Sequence, residues 1–133
     1  MKDFDVQAVA LGASFDRAFR YIADPATLPE WTSAFRSVSG DRARLETPQG
    51  AVDVELGVHA SSRTGTIDWT MTFPDGTVAR AFSRLVDIGP RRLYTFVLLA
   101  PPVPLEALEG ALAEQSRTLR EELGTLQRKL AEA

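Results

Sequence analysis

The sequence contains no cysteine and a single histidine, His59. The first absence excludes a disulfide framework, thiolate-bound zinc, iron–sulfur clusters and thiol catalysis. The second excludes any metal centre or catalytic arrangement built on several histidines. Long apolar runs are missing too: stretches such as Phe96 to Ala100 fall far short of the ~20 residues a membrane-spanning helix needs. The N-terminus, Met-Lys-Asp-Phe-Asp, lacks the apolar core of a secretory signal, so a cytoplasmic protein without a membrane span is expected. Positive charge is not in excess: 15 basic against 18 acidic side chains give a net charge of −3, which argues against nucleic-acid binding. No phosphate loop, Ser-His-Asp order or metal cluster stands out, and neither a cofactor nor a metal is expected.

What is present suits one soluble domain spanning residues 1–133. The chain is 44% hydrophobic and 25% charged over 133 residues, an ordinary globular balance. Such a length buries about two-thirds of the unfolded surface without needing a staple. Residues 3–11 alternate Phe4, Val6, Ala8 and Ala10 with Asp3, Asp5, Gln7 and Val9, which predicts a strand. Ser14 is a fitting N-cap for a helix over 15–23, whose Phe15, Ala18, Phe19 and Ile22 fall on one face. Asp24-Pro25 ends that helix, and Pro25 and Pro29 suit short helical turns over 25–33. Segments 34–39, 42–47, 51–60, 65–73, 77–88 and 92–99 then read as strands between turn signals. Leu105, Leu108, Leu112, Leu119, Leu123, Leu126 and Leu130 form one stripe of a helix over 104–131, which would span about 42 Å. Strand, two short helices, six strands and a long helix predict an α+β fold with the last helix packed on one face of an antiparallel sheet.

This order resembles the helix-grip fold of the START and polyketide-cyclase (SRPBCC) superfamily, related to the birch-pollen allergen. The likeness is sharpest in the stretch from Ala13 through Phe15, Phe19, Ile22, Asp24-Pro25, Leu28 and Pro29 to Trp31, and again in the leucine-and-charge run Leu119 to Leu130. It covers essentially the whole chain. It implies a seven-stranded curved antiparallel sheet around a long C-terminal helix, with two short helices after the first strand. It also implies a cavity between sheet and helix for a small hydrophobic ligand: lipid-like, polyketide-like or otherwise aromatic. Neither motif is specific for a reaction.

The Pro74-Asp75-Gly76 turn assigns faces. If Phe73 pairs with Thr77, then Met71 faces Ala79, Trp69 faces Ala81 and Ile67 faces Ser83. The opposite face carries Thr66, Asp68, Thr70, Arg80 and Arg84, with Asp68 able to meet either arginine. Ala79, Ala81 and Ser83 then either leave pocket volume or make room for Trp69 and the helix. Trp31 and Trp69 are candidate platforms for a planar ligand; Trp31 equally suits packing of the short helices. Phe35 either guards an entrance or joins the core. On the last strand Tyr94 and Phe96 share a face, and Tyr94 is a candidate hydroxyl donor if that face is the inner one. Leu108 and Leu112 would line the helix side. Gln115 lies on or beside the leucine stripe, as a polar contact to ligand or as a solvent-facing flank. His59 falls on the polar side of its strand with Asp53 and Glu55, as a surface residue. Three functions compete: a binding or carrier protein for a small hydrophobic molecule, a polyketide cyclase or dehydratase acting on one, and an interaction module using the C-terminal helix. Monomer and homodimer are both open.

Overall fold

The computed structural model describes residues 3–47, 50–100 and 105–131, with the backbone alone for Thr47 and residues 105–111. The chain runs β1 (Phe4–Leu11), α1 (Phe15–Ala23), a 3-10 turn (Pro25–Thr27), α2 (Leu28–Trp31), β2 (Phe35–Ser39), β3 (Arg42–Thr47), β4 (Gly50–Ser61), β5 (Thr66–Thr72), β6 (Val78–Asp87), β7 (Arg92–Leu99) and α3 (Leu105–Lys129). This is the element order expected from the periodicities. The caps are also as read: the Ser14 hydroxyl accepts from the Arg17 N–H, and the Asp24 carboxylate accepts from Ala26 N–H at the start of the 3-10 turn.

The seven strands form one antiparallel sheet in the order β1-β7-β6-β5-β4-β3-β2. Consecutive hairpins build β2 to β7, and β7 then returns to pair with β1 along its full length, from Phe4 opposite Leu99 to Leu11 opposite Arg92. The hairpin at Pro74-Asp75-Gly76 has the predicted register: Trp69 pairs with Ala81 and Met71 with Ala79, and Phe73 N–H donates to the Thr77 carbonyl at 2.8 Å.

The core lies between the concave face of the sheet and α3. Ile67, Trp69, Leu85 and Tyr94 from the strands meet Leu119, Leu123, Leu126 and Leu130 from the helix, with Ile22, Leu28 and Trp31 closing one end. Among the described residues the leucine stripe from Leu112 onward is buried within the chain, which leaves that part of the helix no apolar face for an interaction module. Leu105 and Leu108 lie where side chains are not described.

Two departures concern faces. In β1 the exposed residues are Phe4 (47%), Val6 (49%) and Ala8, whereas Asp5, Gln7 and Val9 are half-buried and Leu11 is buried. The Gln7 amide is held there by α3, donating to the Ser116 carbonyl and the Asp5 carboxylate, both at 2.8 Å. Asp68 meets Ser83 rather than an arginine: its carboxylate accepts from Ser83 N–H at 3.2 Å, while Arg84 Nε donates to the Thr64 carbonyl.

The end of α3 is tied to the turn after β1. The Leu130 carbonyl accepts from Gly12 N–H at 3.0 Å and from Ala13 N–H at 2.8 Å. Only glycine permits this approach, because a Cβ on Gly12 would sit 1.7 Å from the Ala131 carbonyl oxygen. Among the described residues no helix is long and apolar enough to cross a membrane.

Candidate functional site

The pairing of β7 settles which face Tyr94 and Phe96 occupy. Tyr94 opposes Leu85 and Phe96 opposes Ser83, and both partners are buried on the concave side. Phe96 is the hinge of an aromatic row: its ring stacks on Trp69 with centroids 5.8 Å apart and meets the edge of Tyr94 at 6.4 Å. Such pairs contribute about 0.5–1.5 kcal/mol beyond the area they bury. Met71 and Ala81 flank this row as half-buried members of the same face, and Phe35 packs against the core from the β2 end. Leu112 on α3 is buried. The sheet thus brings Trp69, Met71, Ala81, Ser83, Tyr94 and Phe96 together.

Gln115 does not join them. It is exposed, one step around α3 from the buried stripe, so its amide finds water rather than a buried partner. Leu108 lies outside the described side chains. His59 is exposed opposite Asp68 on the convex face, as its alternation with Val58 implied.

Within the aromatic row the polar atoms are left unmet. Among the described residues, the indole N–H of Trp69 and the hydroxyl of Tyr94 are buried with no hydrogen-bond partner, and so is the N–H of Trp31. The nearby Ser83 hydroxyl donates to the Ile67 carbonyl. Burial pushes the Tyr94 phenol well above its ordinary pKa; the neighbouring Ser83 hydroxyl opposes that push and the Asp68 charge adds to it. Tyr94 therefore stays protonated and acts as a hydrogen-bond donor. Buried donors are normally satisfied, and each one left unmet costs about 1–3 kcal/mol. Two such donors lie on one aromatic surface.

A second feature lies where α2 meets α3. A cleft of about 220 Å³ is lined by Glu30, Trp31, Ser33, Thr118, Glu121 and Glu122, among others. Glu122 reaches from α3 to the segment after α2, its carboxylate accepting from Ser33 N–H at 2.7 Å and from the Ser33 hydroxyl at 3.1 Å. Burial raises the Glu122 pKa; the Ser33 hydrogen bonds oppose this and Glu121 reinforces it. On the far wall the Tyr21 hydroxyl donates to the Glu30 carboxylate at 2.7 Å. Sequence reasoning did not find this pair. Glu121-Glu122 reads as part of a solvated helix face, and nothing local marks a contact with a serine 89 residues away.

No protein-family model and no curated protein matches the chain by sequence. Its three-dimensional likeness is broad. The structure superposes on the Zhui aromatase/cyclase from Streptomyces sp. R1128 with a TM-score of 0.71 at 12% identity, covering 96% of this chain and 92% of that one. A START superfamily protein from Mycobacterium smegmatis gives a TM-score of 0.65 at 17% identity over 97% and 99% of the two chains. The Aha1 dimer from Colwellia psychrerythraea gives 0.63 at 14% identity over 98% and 97%. The fold is thus the α+β helix grip of START and polyketide-cyclase-like proteins: a curved seven-stranded sheet holding a long C-terminal helix.

Proposed function

We propose that the protein binds a small hydrophobic, planar molecule bearing carbonyl-type oxygens, held between the concave face of β5–β7 and α3. One observation carries this reading: Trp69 N–H and Tyr94 O–H are buried, unpartnered and joined through the Phe96 ring. Apolar sites fix a ligand with a few placed polar groups, and here both are donors. Aryl ketones, quinones and polyketide-like chains offer what these donors lack; a plain hydrocarbon offers none of it. Met71, Ala81, Ser83, Leu112 and Trp31 would complete the contacts, and Phe35 would border them. We place such a binder in the cytoplasm, as monomer or homodimer.

A cyclase or dehydratase acting on a polyketide-like molecule is the second reading. It is favoured by Tyr94, which burial keeps protonated and thus able to hold and polarise a carbonyl oxygen. His59 has no part in it, being on the convex face. The test is a titration with naphthoquinone and, as its acceptor-free counterpart, naphthalene. Naphthoquinone should quench tryptophan emission and raise the melting temperature at lower concentration than naphthalene. Unchanged emission and melting temperature with naphthoquinone and with a panel of aromatic compounds and fatty acids would overturn the binding reading. Conversion of a polyketide-like compound, in place of saturable binding, would establish the second.

A further inference from the structure

The concave face is closed at one end by Trp31, which belongs to two environments at once. Its ring is part of the buried core that includes Trp69 and Tyr94, and the same residue lines the cleft between α2 and α3. It is the wall between them. Packing alone holds this wall, because among the described residues the buried indole N–H has no hydrogen-bond partner. A rotation toward the cleft would carry that N–H toward water, the Thr118 hydroxyl and the carboxylates of Glu30 and Glu121, so the open position meets a hydrogen bond that the closed one lacks.

What keeps the wall in place lies two residues further along. Ser33 is clamped by Glu122 through both its N–H, at 2.7 Å, and its hydroxyl, at 3.1 Å. This side-chain clamp joins the segment after α2 to α3. The preceding segment carries Pro25 and Pro29 and only one helical turn at Leu28–Trp31. Too short to be stable by its own hydrogen bonds, α2 depends on such anchors for its position. Removing the clamp frees Trp31 to move with α2 while leaving β5, β6 and β7 untouched.

We propose that the α2–α3 cleft is the gate by which a ligand reaches the concave face, with Trp31 as its door and the Glu122–Ser33 clamp as its latch. This rests on the reading that the concave face holds a ligand. A gate controls rates, not the affinity of the closed site, and that distinction makes the test specific. Binding of naphthoquinone is followed by stopped-flow quenching of tryptophan emission. Glu122→Ala removes both hydrogen bonds to Ser33 and should raise the association and dissociation rates together, by about tenfold or more, and leave Kd within about twofold. Glu122→Gln keeps an oxygen to accept from Ser33 and should restore slow exchange. Ser33→Cys with Glu122→Cys, joined through a short reducible linker, should slow both rates until the linker is reduced; a chain without cysteine offers no competing thiol. Rates unchanged in Glu122→Ala and in the linked form, with naphthoquinone still bound, would overturn the gate alone. Equal loss of affinity in Glu122→Ala and Glu122→Gln would make the cleft part of the binding surface and overturn it too. No binding to the wild-type protein would overturn both the gate and the reading beneath it.

Discussion

Two regions of the sheet treat polar groups in opposite ways. On the solvent side of β2, β3 and β4, charges stand in cross-strand pairs: Arg36 with Glu46 at 2.8 Å, Arg44 with Asp53 at 3.1 Å, and Arg42 with Glu55 at 3.8 Å. On the concave side of β5 and β7, the Trp69 N–H and Tyr94 O–H have no partner. Exposed pairs contribute about 0.2–1 kcal/mol each, and salt screens them. A buried donor without an acceptor costs about 1–3 kcal/mol. Partners are thus supplied where they matter least to stability and withheld where their lack costs most. Stability does not explain that distribution. The proposed ligand would, because the deficit in the free protein would become affinity when an acceptor arrives.

The largest expected effect comes from Tyr94→Phe, which should move stability and binding in opposite directions. Removing an unmet hydroxyl should stabilise the ligand-free protein by about 1 kcal/mol in a denaturant titration. Naphthoquinone binding should weaken by about 1–3 kcal/mol, roughly 5- to 150-fold, by calorimetry. A loss of ligand-free stability would show that the hydroxyl has a partner and would erase the contrast. Trp69→Phe keeps a ring against Phe96 but deletes the N–H. It should cost about 1–2 kcal/mol of naphthoquinone affinity while changing naphthalene affinity much less.

A third measurement concerns Glu122, a carboxylate between the two extremes: half-buried, hydrogen-bonded, yet with a raised pKa. With the folded pKa above the unfolded one, the native state holds the proton more tightly, so stability falls as pH rises from the ordinary value of 4.5 through the raised one. Glu122→Gln should therefore be more stable than wild type at neutral pH. Its advantage should shrink as pH falls toward that ordinary value, in melting curves recorded across the range. A constant difference at all pH values would remove Glu122 titration as its source. The smallest effects belong to the paired face. Arg44→Ala should lose about 0.2–1 kcal/mol at low salt and less at high salt, and His59→Ala should leave naphthoquinone binding unchanged.

Periodicity carried the fold a long way. Alternation located the strands, the proline-glycine turn set the β5–β6 register, and the leucine stripe marked the buried face of α3. Faces were harder wherever the deciding partner is remote. In β1 the inward side holds Asp5 and Gln7 because a carbonyl of α3, at Ser116, receives the Gln7 amide; alternation shows that two faces exist but not which one the helix will claim. Gln115 sits at steps of three and four from leucines, and that spacing alone does not separate the stripe from its flank. Trp69 was readable because its neighbour across the turn is small. The unmet state of its N–H was not, since the absence of a partner is a property of the whole packed interior. Glu122 and Ser33 lay beyond reach for the same reason as Gln7: the contact is made by topology, not by local sequence.

The knot of hydrogen bonds at the Leu130 carbonyl, received from Gly12 and Ala13, has a consequence for synthesis on the ribosome. β1 emerges first, yet its strand partner is β7 and its terminal anchor is the last turn of α3. Throughout translation of β2 to β6 the leading strand has no native neighbour, and its Phe4 and Val6 remain available to any strand-like edge nearby. Closure across nearly the full chain is slow compared with helix or hairpin formation. The hairpins from β2 to β7 can therefore form on a faster timescale than the joining of β1 to β7 and to the last turn of α3.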